Sequence, residues 1–470
     1  MKKFASRIAD VRAALRKPAD ARTLTEKLLI AGTLTSTEHV VTTVLRLAST
    51  LIITRMLAPE IFGLFAIIMT FQIILALVTD FGIKDLILTA KNPRDVRLLQ
   101  TCWSIQLIRG FIIYGVILVM SGSLYLLQQN GTLAGESVYA APDLPAALAI
   151  SGMAMLLKGF ESVNPYIYAY EMRLRRNTIM NVLFAVVSPC LTILIALYEP
   201  TVWALVIAGL LAGVMKLIMT YWLFEGAAMR FCWDRVHRLA IFDRGKWIMG
   251  RSGLQIMTVE ADRLILSAFL PDTLFGQYFL AKQIFTVPDA LIQKLHGSFG
   301  LQFFVEIISQ PVREMQARYY KYRIPIDAVA CIFAGGFLTA APAVIGLLFD
   351  PRYQAAGDIL QILGLALPFI GMGMIREGYG AQQRFRVTAF FGLIQTVSIW
   401  TGLIIALFVF DNITAAFFVI ALHRIPELAT VLIYARREGW IDLLKEIRMF
   451  PLIGVGAALG LAAEFLINQL

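Results

Sequence analysis

Long apolar stretches, separated by short polar connections, run through almost the whole chain. A helix that crosses a bilayer needs about 20 mostly apolar residues, and thirteen stretches of the sequence reach that length. They lie at 28–55, 61–81, 98–127, 144–168, 178–198, 202–224, 247–270, 274–296, 324–349, 358–380, 387–409, 412–434 and 450–468. The pattern predicts an all-α polytopic membrane protein with about thirteen transmembrane helices.

The basic residues between these stretches predict the orientation of the helices, because Lys and Arg are enriched in the cytoplasmic loops of membrane proteins. With the N-terminus inside, the connections on the cytoplasmic side carry 31 Lys and Arg residues, whereas the opposite connections carry only Arg352. This asymmetry predicts a cytoplasmic N-terminus and an outer C-terminus. The last span, at 450–468, is the shortest and contains Pro451.

Composition agrees with a membrane protein. A soluble chain would have about 25% charged residues, whereas this one has 16%, with 58% hydrophobic residues. Residues 1–27 carry eight Lys and Arg residues and lack the apolar core of a cleaved signal peptide, so we expect a basic cytoplasmic tail near anionic lipid. The four cysteines and four histidines form no ligand motif, so we expect no metal site and no cofactor.

The chain contains an internal repeat. Placing Gly63 over Gly276, an offset of 213 residues, aligns 51–63 with 264–276, and both segments have an apolar helix end, a short acidic turn with proline, and Phe-Gly. A second match, of 194–197 with 404–407, has an offset of 210. We therefore predict two parallel six-helix bundles around a central cavity. The predicted parts are the tail 1–27, bundles 28–224 and 247–434, the linker 225–246, and a loop with an extra helix at 435–470.

Several motifs resemble those of a known family. The first run reads Arg55-Met56-Leu57-Ala58-Pro59-Glu60-Ile61-Phe62-Gly63 and is followed by Asp80-Phe81-Gly82. The second half has Asp262-Arg263-Leu264-Ile265-Leu266 and then Phe275-Gly276-Gln277-Tyr278. These runs resemble the polysaccharide-transporter flippases of the Wzx type, in the multidrug/oligosaccharidyl-lipid/polysaccharide exporter superfamily. The resemblance covers most of residues 30–434.

The resemblance implies a function and its partners. Proteins of this family flip undecaprenyl-diphosphate-linked oligosaccharide repeat units across the bacterial inner membrane for surface or exopolysaccharide biosynthesis, by alternating access. The partners it implies are the bilayer, the lipid-linked glycan, a polysaccharide polymerase and export machinery. We expect no nucleic-acid partner, because the basic residues flank helices and form no single large patch. Relatives usually have twelve or fourteen helices, so a thirteenth helix departs from the family pattern.

Ten basic residues fall within the predicted spans or at their ends, where charge is costly. Some have a simple structural explanation. Arg55, Arg251 and Arg376 lie near helix ends and can reach the membrane surface. Three others have an acidic residue three positions away and either form pairs on one helix face or line a cavity; these are Lys158 with Glu161, Arg424 with Glu427, and Arg263 with Glu260.

Arg46, Arg109 and Lys282 have no acidic neighbour three or four positions away. Each therefore needs an anionic ligand, a wet cavity or a partner on another helix, for which Glu38, Asp262 and Asp289 are available. The residues that we expect to line a cavity for the anionic substrate are Arg46, Arg109, Lys282, Lys158, Arg424 and Arg251. Polar side chains recur every three or four positions in two spans, along 35–50 in the first and from Arg251 to Asp262 in the seventh, so both spans are expected to flank that cavity.

Acidic and titratable residues in the spans raise the question of ion coupling. Glu38, His39 and Asp262 could carry a coupled proton or cation, but we favour them as structural partners of the arginines.

A drug antiporter of the same superfamily would need an acidic cavity, which the basic mid-span charges disfavour. A peptidoglycan-precursor flippase remains open. A membrane polymerase or ligase would need catalytic residues in a large outer loop, and the loop 128–143 contains no Arg or His, so we predict no enzymatic activity.

Overall fold

The computed structural model describes residues 24–131, 137–307 and 310–469, and these are helical apart from turns and one isolated bridge between Ser137 and Pro271. Most of the predicted basic tail, 1–23, lies outside the described residues. The helices are α1 (Leu24–Met56), α2 (Pro59–Val78), α3 (Ile83–Thr89), α4 (Val96–Gln129), α5 (Leu144–Phe160), α6 (Asn164–Tyr170), α7 (Arg175–Ala196), α8 (Val202–Trp222), α9 (Arg235–Val259), α10 (Ala261–Phe269), α11 (Asp272–Ile307), α12 (Val312–Leu348), α13 (Ala355–Gly364), α14 (Leu367–Met372), α15 (Arg376–Ala381), α16 (Phe385–Ile404), α17 (Ile413–Leu422), α18 (Ile425–Arg437), α19 (Leu443–Ile447) and α20 (Pro451–Ile467).

Every predicted span position carries helix, and the all-α prediction is confirmed. Within the described residues, nine helical segments are long and apolar enough to cross a membrane, or ten if the bent pair α5–α6 is one span. Helices α1, α9 and α11 stand at three further predicted positions but carry more polar and charged residues. The total of thirteen spans stays a prediction.

The seventh predicted span is not one helix. Helix α9 ends at Val259, Glu260 is non-helical, and α10 begins at Ala261. The predicted polar stripe from Arg251 to Asp262 is therefore wrong as a continuous face, because the interruption puts Asp262 in the first turn of a separate short helix.

The chain divides into two compact units. The first contains the described residues of Met1–Leu57, Phe71–Leu133 and Pro142–Gly253, and the second those of Ala58–Thr70, Ala134–Ala141 and Leu254–Leu470. In the first unit, α4 packs on α5, α5 on α8, α8 on α7 and α7 on α1. Part of its core is formed by Ile83, Leu86, Ile87, Leu98, Leu99, Cys102, Trp103, Ile105, Val163, Ile167 and Ile241.

Within the second unit, the two copies of the repeated turn pack directly on each other. A Cβ on Gly276 would lie 1.8 Å from Pro59 O, and one on Gly63 would lie 2.7 Å from Asp272 O. Thr273 Oγ1 also donates a hydrogen bond to Glu60 Oε1 over 2.6 Å, and these two positions are related by the same offset of 213 residues. The two turns that the sequence aligns are therefore in direct contact, and their origin as an internal repeat stays a prediction.

The last predicted span is present as α20, which packs along α12 through small residues. A Cβ on Gly456 would lie 2.2 Å from Ile332 O, and one on Gly335 would lie 2.0 Å from Ile453 O. Such spacing lets two helix backbones approach closely, as is common between membrane helices. The glycines of this last predicted span therefore form part of the surface that packs against α12.

Candidate functional site

The first unit gathers several intramembrane charges beside a sharp bend between α5 and α6. The two helices meet at 59°, with Glu161 extended between them. Pro165 has no N–H to bond Glu161 O, as a continuing helix would require. Gln106 Nε2 of α4 takes over this role, since it donates to the carbonyl oxygens of Lys158 and Glu161, each over 3.0 Å.

Two glycines bring the neighbouring cations together. A Cβ on Gly110 would lie 3.1 Å from Gly159 Cα, so α4 and α5 cross backbone to backbone at this point. Arg109 and Lys158 each precede one of these glycines in the sequence. The crossing therefore places the cationic residues of two different helices close together, although they are far apart in sequence.

Arg109 has partners at the end of α2. Its Nε donates to Thr79 Oγ1 over 2.9 Å, its Nη2 donates to Ala76 O, and its Nη1 lies 3.7 Å from Asp80 Oδ1. Its side chain is 18% exposed. The inter-helix partner that the sequence left open thus exists, but the long ion pair and the two neutral acceptors leave the guanidinium charge only partly compensated.

Lys158 and Glu161 do not form the pair considered from their spacing. That pair requires one continuous helix, and α5 ends at Phe160. Glu161 Oε1 instead lies 3.5 Å from Lys216 Nζ on α8. Lys158 Nζ makes no ion pair or hydrogen bond with any residue that the structure describes.

We call Asp80, Arg109, Lys158, Glu161 and Lys216 the first-unit cluster. It contains three cations and two carboxylates, so it has an excess of one positive charge when all are ionised. Uncompensated charge at membrane depth is unfavourable unless it faces water or binds a counter-charge. The cluster is therefore suited to an anionic ligand.

The first unit also has an apolar cavity of about 600 Å³, lined by Phe160, Leu217, Ile218, Tyr221 and Trp222. The Tyr221 hydroxyl donates to Phe160 O over 2.8 Å, and Trp222 is 81% exposed. Residues one or two positions apart on a helix do not share a face, and no charged residue of the first-unit cluster lines this cavity. The cavity therefore lies on a different face of α8 from Lys216.

Helix α1 carries the polar stripe predicted from the sequence. Half-buried Glu38 accepts hydrogen bonds from Thr178 Oγ1 and Asn181 Nδ2 of α7, both over 2.8 Å. These hydrogen-bond partners of Glu38 are neutral side chains and not the arginines that we favoured. Arg46 is exposed and makes no ion pair within the described residues, and His39 is also exposed.

The second unit has a neutral set of charges, which we call the Asp262 cluster. Asp262 is 1% exposed, and its Oδ2 accepts from Lys282 Nζ over 2.8 Å and from the Tyr278 hydroxyl. Arg263 pairs with Glu260 over 2.8 Å, which is one of the two alternatives that the spacing left open. Lys282 thus has the inter-helix partner that the sequence left as an alternative, and its charge is compensated in this conformation.

Arg424, another predicted cavity residue, does not form the pair with Glu427 that its spacing made possible. Glu427 pairs with Arg376 over 3.1 Å, and its pairing with Arg424 is not formed. Arg424 is the N-cap residue of α18 and Pro426 lies in the first turn of that helix, where proline is tolerated, so no helix break separates Arg424 from Glu427. The Glu427 carboxylate nevertheless pairs with Arg376 of another helix. Asp289 is a second carboxylate near Arg424. The side chain of Arg251 lies outside the described part of the chain.

Sequence reasoning missed the bond network around the α5–α6 bend and a buried ion cluster near the C-terminus. The hydrogen bonds of Gln106 at the bend could not be predicted, because a single glutamine in a span does not indicate which backbone it contacts. The pairing of Lys216 with Glu161 was also not predicted, because the two residues lie on different helices. The Ser162–Pro165 stretch, with its proline, was the available signal for the bend.

Comparison with known proteins places these features in a family. A family model described as "Polysaccharide biosynthesis protein" matches residues 52–356. The chain is also similar to the succinoglycan biosynthesis transport protein ExoT of Rhizobium meliloti (strain 1021), with 21% identity over 319 residues. The match covers 67% of this chain and 61% of that protein.

Two solved structures share the fold. The inward closed conformation of the lipid II flippase MurJ has a TM-score of 0.61 and 12% identity, over 94% of this chain and 98% of that one. An inward-facing multidrug resistance transporter of the MATE family, in the MOP superfamily, has a TM-score of 0.59 and 16% identity, over 87% of this chain and 95% of that one. At these identities the likeness concerns the fold alone.

Proposed function

Because this chain belongs to the polysaccharide biosynthesis protein family, we propose that it is a flippase for undecaprenyl-diphosphate-linked oligosaccharide repeat units. It moves them from the cytoplasmic to the periplasmic leaflet of the bacterial inner membrane, by alternating access and with its own N-terminus in the cytoplasm. Two findings support this: the chain has the fold of multi-span exporters, and its curated relative is named as a transport protein.

The observation that carries the proposal is the excess positive charge of the first-unit cluster. A lipid-linked glycan brings negatively charged phosphates into the membrane, so the protein needs cations there that its own carboxylates do not neutralise. Lys158 has no partner among the described residues, and Arg109 is only partly compensated. We assign the phosphates to these two residues and leave the lipid chain in the bilayer.

The other predicted cavity residues take part to different degrees. Arg46 is exposed and free to meet the substrate. Lys282 must first separate from Asp262, and Arg424 lies near Asp289, so both are better suited to a later conformation of the transport cycle. Arg251 keeps its proposed role on sequence grounds alone.

The charge balance also bears on the alternatives. A cation-coupled drug antiporter would present excess negative charge to a cationic drug, whereas the first-unit cluster has excess positive charge. A peptidoglycan lipid precursor carries the same diphosphate group, so the cluster suits it equally. A polysaccharide polymerase and export machinery are the partners that we propose downstream.

The test is the leaflet distribution of lipid-linked repeat units in a strain that lacks the protein. We expect the units to accumulate on the cytoplasmic leaflet and export to return when the wild-type protein is supplied. Unchanged export and leaflet distribution would contradict the flippase proposal, and accumulation of the peptidoglycan precursor instead would identify the alternative substrate.

Arg46→Ala tests one residue in the same strain. We expect it to abolish export while the protein still folds and inserts, because the substrate loses a cation that no described residue neutralises. Arg46→Lys, which keeps the charge, is the matched control and should restore most of the export. Normal export by Arg46→Ala would remove Arg46 from the mechanism.

A further inference from the structure

A buried ion cluster joins α12 to the segment that leads into α20. Arg323 of α12 pairs with Glu446 of α19, and its Nε lies 2.6 Å from Asp327 Oδ2. Arg323 is 1% exposed, Glu446 4% and Asp327 5%. We call these three residues the C-terminal ion cluster. It is separate from the Asp262 cluster and from every residue used in the proposed transport mechanism.

The charges of this cluster do not balance. One guanidinium faces two carboxylates, so full ionisation leaves one negative charge inside the protein. The other titratable groups do not correct this. Tyr319 and Tyr320 of α12 are neutral hydroxyls, Cys331 lies one turn further along α12, and α14, which also packs on α12, contains no titratable residue.

Lys445 is the nearest further cation, and it points away from the cluster. Its Nζ lies 5.4 Å from the ring of Tyr320 and 3.9 Å from Asp442, with the side chain 48% exposed. An unpaired ionised carboxylate in a low-dielectric interior is strongly unfavourable, and such a group usually takes up a proton instead.

The two carboxylates of the cluster, Asp327 and Glu446, differ in the hydrogen bonds that they accept. Glu446 accepts from Arg323 Nη1 and, over 2.8 Å, from the Tyr320 hydroxyl. Asp327 Oδ1 is buried and has no hydrogen-bond partner among the described residues. A Cβ on Gly371 would lie 2.2 Å from this oxygen, so Oδ1 lies against the backbone of α14 and away from water. Donors favour the charged form of a carboxylate, which makes Glu446 the better anion.

We propose that the C-terminal ion cluster is a proton-binding site, in which Asp327 Oδ1 holds one proton and Arg323 with Glu446 remains an ion pair. The reaction is the uptake of one proton from water by the Asp327 carboxylate, with no other reactant. The bound proton keeps the cluster neutral and so holds α19 and α20 against α12.

Removal of the proton leaves one buried negative charge at this contact. While the site holds its proton, the folded state binds one proton that the unfolded carboxylate has already released. Stability therefore falls as the pH rises from the pKa of an unfolded aspartate to the point where the folded site releases its proton, and it levels off above that point. Between these two points the unfolding equilibrium constant rises by up to about tenfold per pH unit.

Infrared spectroscopy of the purified full-length protein tests the site directly. We expect a band from a protonated carboxyl group in the wild-type protein at neutral pH, and its loss at alkaline pH. Asp327→Asn should remove this band. Glu446→Gln should also remove it, because one guanidinium then balances one carboxylate and no proton is needed. Asp350→Asn, at an exposed pair with Arg352, is the control and should keep the band.

Thermal unfolding over a pH series is the second measurement. As the pH rises towards the point where the site releases its proton, we expect the wild-type protein to lose stability more steeply than Asp327→Asn does, and we expect the two profiles to run parallel above that point. A carboxyl band that persists in Asp327→Asn would overturn the proposal, as would equal pH profiles for the two proteins. Stabilisation by sodium at fixed pH without a carboxyl band would show that a metal cation occupies the site instead. If Asp327→Asn does not fold, Glu446→Gln and the wild-type pH series still decide the question.

None of these measurements uses the transport substrate. Failure of the proton site would therefore leave the flippase proposal standing, and failure of the flippase proposal would leave the proton site untouched.

Discussion

Replacing Lys158 by methionine should stabilise the protein and abolish its transport activity. Lys158 Nζ has no ion pair or hydrogen bond within the described residues, and Lys216 lies near enough to repel it. Methionine keeps the apolar stem and removes the charge. A side chain that is retained for binding, and not for stability, should behave in this way.

The magnitude follows from the position of Lys158 in its helix. A lysine at the centre of a membrane helix is unfavourable by about 2.5–3.5 kcal/mol. Lys158 is exposed and lies two residues before the end of α5, so part of this penalty is relieved. We therefore expect Lys158→Met to raise the free energy of unfolding by about 1 kcal/mol, which corresponds to a rise in Tm of about 1 °C for a chain of this length.

Lys216→Met is the matched control, since it removes a neighbouring cation that does have a partner. Its loss leaves Glu161, 18% exposed, without a counter-charge. We expect this variant to lose about 1–2 kcal/mol, less than for a fully buried pair because both side chains are partly exposed. The double variant Lys216→Met/Glu161→Gln should recover most of that loss.

Denaturation of the purified variants and export in the deletion strain are the two assays. The reasoning predicts opposite signs of stability change for Lys158→Met and Lys216→Met, with export lost in the former. A destabilised Lys158→Met that still exports glycan would show that Lys158 is a packing residue, and the first-unit cluster would then lose its proposed role in phosphate binding.

Two further predictions concern the repeat contact and helix α1. Gly276→Ala should lower the free energy of unfolding by about 1–3 kcal/mol, because its methyl group would overlap Pro59 O at 1.8 Å. Gly346→Ala is the control, since a methyl group there meets nothing within 4 Å. Equal Tm values for the two variants would contradict the close contact at Gly276. Glu38→Gln should leave the pH dependence of export unchanged if Glu38 serves only as an acceptor for Thr178 and Asn181; an altered pH dependence of export would make it an ion-coupling residue.

The sequence was sufficient for the features that depend on local pattern. Apolar stretches of span length placed a helix at every predicted position, because hydropathy acts along the chain. The offset of 213 residues was also readable from the sequence, whereas the close contact of Gly63 with Gly276 was visible only in the structure. The presence of costly charges inside spans was likewise visible from residue types alone.

The partners of those charges were decided only by the tertiary structure. Spacing of three residues makes a pair possible on one helix face, but it does not decide between that pair and a partner on another helix. Beyond the break after Phe160, Glu161 meets Lys216, and Glu427 in the first turn of α18 meets Arg376. Where α9 ends, Asp262 begins a new helix and meets Lys282.

The same holds for the C-terminal ion cluster. The sequence placed Arg323 in a cytoplasmic connection, since it stands at the polar end of an apolar stretch. Glycine contacts between α12 and α20, such as Gly335 with Ile453, bring Glu446 to Arg323 across 123 residues of chain. Hydropathy is a property of each segment, whereas charge pairing depends on which segments meet, and close backbone packing at small residues determines that.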